Sequence, residues 1–133
     1  MAEKIAKFRL KDYRITKSYF EVNPANISPS DNVGIEVKRE NLLNESEHLF
    51  KLDMSVKVAD EKGNINISVK IEGVFEFDRD LTDEQRNSFF DVNAPAILLP
   101  FVRAYISSLT SLSGFNHIIL PTINFAVRAE NEQ

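Results

Sequence analysis

The stretch Ile65-Asn-Ile-Ser-Val-Lys-Ile-Glu-Gly-Val-Phe-Glu-Phe77 decides the fold class. Ile65, Ile67, Val69, Ile71, Phe75 and Phe77 fall on odd positions, with Gly73 in phase, and mostly polar residues alternate with them. A period of two puts one face against a core and the other toward water, the pattern of a half-buried strand. Upstream, Phe50, Leu52, Met54, Val56 and Val58 alternate with polar residues in the same way. Asp60-Glu-Lys-Gly63 joins the two runs, with glycine placed for a positive φ. Residues 48–77 therefore read as a long antiparallel hairpin, and Gly73 as a bulge or close-packing position.

Further toward the N-terminus, Val33, Ile35 and Val37 predict a shorter strand in a charged setting. Residues 7–22 predict a long first strand whose phase drifts. Phe8 and Leu10 give way to Tyr13 and Ile15, then to Phe20 and Val22. A phase change within a strand means a bulge or twist. Asn23 to Asp31 is a loop by its proline and asparagine content, and Ile27 is its one larger apolar side chain.

The second half predicts helices. Thr82-Asp-Glu-Gln85 is a capping-box pattern opening a short helix to about Asp91. Asn93 and Pro95 suit a new start and Gly114 suits its end. Pro100 lies well inside and removes a helical hydrogen bond at a cost of roughly 3 kcal/mol, so a kink is expected there. From Val92 to Val127 the only formal charge is Arg103. A surface helix normally carries a charged face. Two explanations stay open: an oligomer interface plus core, or an exposed apolar groove for partners.

Composition limits the functions. Zero cysteines exclude disulfides and thiolate chemistry and suit a cytoplasmic setting. A net charge of −4 argues against nucleic acid as the main partner. No secretory leader and no membrane-inserting segment are expected; Arg103, Pro100, Ser107, Ser108 and Ser111, with Ser113 just beyond, count against the Asn93–Leu112 stretch. His48 and His117 lack metal-ligand spacing and read as structural. The serines after Tyr105 lack the glycines of a nucleophile elbow, and no phosphate-binding loop is present. Neither an enzyme nor a metal or other cofactor is expected.

The order of features resembles the SecB export-chaperone family. A long strand ending Ser18-Tyr-Phe-Glu21 precedes a proline-rich crossover, a short strand, a hairpin ending Glu72-Gly-Val-Phe-Glu-Phe77, and helices. The closest likeness lies in Ala94-Pro95, Leu99-Pro-Phe-x-Arg103 and Leu120-Pro-Thr-Ile-Asn-Phe125. The resemblance spans residues 7–126. It implies an α+β fold, a four-stranded antiparallel sheet with a long kinked helix on one face. Residues 1–133 would form one domain, with the sheet over 7–77, helices over 82–113, and a loop and short C-terminal helix over 114–133.

The resemblance also implies function. Family members bind non-native polypeptides without ATP and assemble as dimers of dimers, the sheets sandwiching the helices. Carried onto this chain, client contacts fall on Val22, Ile27, Phe115, Ile118, Ile119, Leu120 and Phe125, each with a competing assignment to the core. A homo-oligomer interface, dimeric or tetrameric, falls on Phe101, Tyr105, Leu109 and Leu112. Only Ala126 to Gln133 follow Phe125, and Lys17 and Ser68 stand where acidic residues are usual, which puts docking to the motor SecA in doubt. A SecB-like adaptor for one partner such as an antitoxin, or a structural oligomer, is the alternative. An apolar small-molecule binder is a third expectation, resting on composition alone.

Overall fold

The computed structural model describes residues 6–23, 33–115 and 118–126. Four strands, β1 (Phe8–Val22), β2 (Val33–Asn44), β3 (Leu49–Asp60) and β4 (Ile65–Phe77), form one sheet in the order β1-β4-β3-β2. All three pairings are antiparallel. The β3–β4 hairpin is as expected, and Gly63 in its turn has φ 70°. The Asp60 carboxylate is buried there and accepts from the N–H groups of Asn64 (2.6 Å) and Ile65 (3.2 Å).

The phase drift of β1 is two bulges. The register with β4 shifts between Leu10 and Asp12 and again between Ile15 and Lys17. Each bulge inserts one residue and flips the side-chain alternation. Phe8, Leu10, Tyr13, Ile15, Phe20 and Val22 thereby all stand opposite core-facing positions of β4.

β2 is longer than expected. It runs to Asn44 and turns at Glu45–His48 into β3. It is an edge strand, and residues 40–44 are exposed, so no apolar alternation marks its second half.

The helical half also departs from expectation. The capping box is present, with Gln85 N–H donating to Thr82 Oγ1 (3.1 Å) and Thr82 N–H donating to Gln85 Oε1 (2.9 Å). The chain does not stop and restart at Asn93. α1 (Asp83–Ser88) passes through a π-turn (Phe89–Asn93) into α2 (Ala94–Leu112), and Asn93 is helical without a side-chain cap. Pro95 accounts for this. It has no N–H to donate, and its ring crowds the carbonyl four residues back, so the wider turn makes room. α2 then continues through Pro100. It ends in a Schellman motif: Gly114 has φ 89°, Gly114 N–H bonds Ser111 O (3.2 Å) and Phe115 N–H bonds Thr110 O (3.1 Å).

α2 packs Leu98, Val102, Ile106 and Thr110 onto the sheet, a stripe at helical spacing. Gly73 is the close-packing position. A Cβ there would stand 2.8 Å from both methyls of Leu98. By length and composition alone the run Asp83–Leu112 is apolar enough to cross a membrane, a property that the core helix of a globular domain shares. Its sheet-facing stripe accounts for much of that apolarity, because Leu98, Val102 and Ile106 are fully buried.

Candidate client groove

The inner sheet face has two ends with different covers. At one end six phenylalanines interlock. Phe8 stacks on Phe75 (4.8 Å between centroids) and on Phe89 (5.2 Å), Phe50 stacks on Phe90 (4.2 Å), and Phe90 meets Phe77 edge-on (5.3 Å). Phe89 and Phe90 come from the π-turn, so that turn supplies the lid of this end. Arg86 adds a clamp, with a two-pronged pair to Glu45 (2.8 and 2.6 Å) and its guanidinium 5.1 Å from the Phe77 ring centre. The Arg86 hydrogen bonds hold the Glu45 carboxyl below its ordinary pKa. His48 sits in the β2–β3 turn with φ 57° and its ring edge-on to Phe77 (5.5 Å), a structural role. His117 lies outside the described residues.

At the opposite end the cover is irregular. Residues 118–126 lie on the sheet as a strap, with Leu120 and Phe125 in the core cluster. Thr110 anchors its start: the buried Thr110 hydroxyl donates to Ile106 O (2.9 Å) and accepts from Ile118 N–H (3.0 Å). Phe115 approaches Phe20 (6.2 Å between ring centres). Val22, Phe115 and Ile118 are half-buried, and Ile119 is 65% exposed. Of these four expected client residues, Val22 ends β1 and the other three follow α2. Phe20 belongs with them. Its place in the alternation after the second bulge is the signal that could have picked it out.

Leu120 and Phe125 require correction. They are only 1% and 2% exposed and belong to the core cluster, so they are not a client surface in this conformation. The strap drives both inward, where apolar burial is favourable. Ile27 and most of the expected C-terminal helix lie outside the described residues.

The expected oligomer residues line the flank and tip of α2. Phe101, Tyr105 and Leu109 are half-buried, Phe101 stacks on Tyr13 (4.0 Å), and Leu112 is 87% exposed. The solvent face of α2 has Ala96, Pro100, Ala104, Ser108 and Ser111 and no charge.

The other face of the sheet is charged, with pairs such as Lys51–Glu72 (3.3 Å) and Arg9–Asp78 (2.9 Å). It holds a shallow hollow of about 550 Å³ between Tyr19, Glu36 and Lys57, floored by Gly34, Ala59 and Ser68. Among the described residues no group of three or more His, Asp or Glu is placed to hold a metal ion.

Known proteins place this arrangement. The curated relatives include the protein-export protein SecB of Burkholderia vietnamiensis, 34% identical over 101 residues, covering 73% of this chain and 60% of that protein. The SecB of Anaplasma phagocytophilum is 41% identical over 66 residues, covering 48% of this chain and 42% of the other. An uncharacterized protein of Methanocaldococcus jannaschii is 36% identical over 78 residues, covering 59% and 50%. The chain thus spans about half the length of the curated relatives it matches. In fold it is similar to the SecB-like chaperone of Mycobacterium tuberculosis, solved with a ChAD peptide from the HigA1 antitoxin. The TM-score is 0.72 at 14% identity, covering 89% of this chain and 88% of the other. The family model described as preprotein translocase subunit SecB matches residues 7–132, and the chain belongs to the SecB family.

Proposed function

We propose that this chain is an ATP-independent, cytoplasmic holdase that binds non-native polypeptides along the apolar end of its inner sheet face. The observation that carries the reading is the Phe20–Phe115 ring contact (6.2 Å) between the end of β1 and the turn after α2, with half-buried Val22 and Ile118 and exposed Ile119 close to these residues in sequence. Apolar burial contributes about 25 cal/mol per Å² and has no direction, so such a surface accepts many sequences. Membership of a chaperone family supports a binding role without catalysis. The solvent face of α2, with Phe101, Tyr105, Leu109 and Leu112, is the surface proposed to meet a second copy, giving a dimer or tetramer. Export of the bound chain fits the names of the SecB relatives; docking to SecA is not part of the proposal.

The test is suppression of aggregation of a chemically unfolded protein diluted into buffer, with light scattering as readout. Suppression near equimolar ratio is expected, and replacing Phe115 and Ile119 by serine should weaken it at least about fivefold. Failure of the unaltered protein at molar excess would sink the reading. A second reading, a dedicated chaperone of one partner such as an antitoxin, is favoured by the antitoxin peptide held by the M. tuberculosis protein of the same fold. Co-purification of one partner at fixed stoichiometry, undisturbed by excess unfolded chain, would select it.

A further inference from the structure

Arg39 joins three parts of the molecule. It lies on β2 opposite Met54, at an inward-facing register position. Its Nη1–H donates to the carbonyl of Asp91 at 2.6 Å. That carbonyl, four residues before Pro95, is the one an ordinary helix would have bonded to the missing proline N–H. The Arg39 guanidinium also stands 5.7 Å from the ring centre of Phe125. One planar cation therefore links the edge strand, the π-turn and the strap. Lysine could not do the same, since its compact ammonium lacks the flat face and the fork of donors.

The strap itself is an apolar segment laid on the inner sheet face. Ile118-Ile-Leu-Pro-Thr-Ile-Asn-Phe-Ala126 has no formal charge and sinks Leu120 and Phe125 into the core. It is not paired as a strand, and Pro121 has no N–H for a ladder. Burial of two side chains and a few anchoring bonds hold it, which is also how an unfolded client would be held.

We propose that the strap occupies part of the groove as an internal stand-in for a client, and that Arg39 is the positioning residue that keeps it seated. The occupant class follows from the strap: an uncharged segment with an aliphatic and an aromatic side chain five residues apart, as Leu120 and Phe125 are. A client of that pattern competes with the strap for the same surface, so Arg39 sets the affinity by holding the strap in place. This inference rests on the holdase reading.

Two measurements on the full chain test it. The first is amide hydrogen exchange without client. Arg39→Gln should speed exchange over residues 118–126 at least about tenfold, with the centres of β3 and β4 unchanged and Arg39→Lys between the two. Unchanged strap exchange in Arg39→Gln, or acceleration spread evenly over the sheet, overturns the role of Arg39. The second is binding of a labelled synthetic peptide with the sequence of residues 118–126. Phe125→Ala, which loosens the chain's own strap and leaves Arg39 in place, should bind it several-fold more tightly than the unaltered protein. Equal or weaker binding overturns the stand-in. Should the peptide not bind while an unfolded protein does, the inference falls and the holdase reading stands. Should the peptide bind while unfolded proteins do not, the holdase reading falls and with it the competition with clients.

Discussion

The two ends of the inner sheet face solve the same covering problem differently. At the Phe8 end, a continuous helix brings rings onto rings, and the Arg86–Glu45 pair closes the rim. At the Val22 end, a turn and a strap cover the sheet with half-buried side chains. The first end is built to stay shut. The second leaves apolar surface in reach of solvent, a cost to solubility that a binding surface justifies. On the proposed reading, stability and client binding are separated along one sheet.

The largest expected effect sets the two ends directly against each other. Phe50→Ala removes a ring stacked at the closed end and should cost about 3–5 kcal/mol in denaturant unfolding. Phe115→Ala at the open end should cost about 1 kcal/mol or less, with its main effect on client binding. Equal losses would erase the distinction. Between the ends, Gly73→Ala pushes a methyl to 2.8 Å from the fully buried Leu98 and should cost about 1–3 kcal/mol. Thr110→Val keeps the shape but strands the Ile118 N–H, and should cost about 1–2 kcal/mol. Its exchange signature should be confined to the strap. Signals at Phe89 and Phe90 moving equally would show the two ends to be one cooperative unit.

The smallest effect is in pH. The folded-state pKa of Glu45 is lowered by Arg86, so its contribution is complete above the unfolded carboxylate value of about 4.3 and is lost as pH falls through the lowered folded value. Glu45→Gln should therefore narrow its stability gap to the unaltered protein as pH drops below about 4. A gap that stays constant with pH would mean that the pair contributes through packing on Phe77 rather than charge.

How legible these features were depends on what fixes each of them. β4 was plain because its two faces meet core and water, and its residues record both. The two bulges of β1 were readable because each displaces the apolar residues by a single position. The second half of β2 left no trace, since an edge strand with both faces wet needs no alternation. The π-turn was hidden because the carbonyl opposite Pro95 is taken by Arg39, more than fifty residues earlier in the chain. The proposed client residues were half legible. Apolar residues after Gly114 announce burial or binding, and only the path of the strap separates Leu120 and Phe125 from Ile119.

The paired bulges of β1 have a consequence for descent and for self-association. Losing either inserted residue alone would leave Phe8 and Leu10 opposite Phe77 and Phe75, because the partners on β4 are consecutive across each bulge. A one-residue gap at Lys11 or at Thr16 between relatives is therefore compatible with the same inward-facing set. β1 is also an outer edge of the sheet. A twice-kinked edge is a poor template for another strand. That border is hard to extend into a fibre.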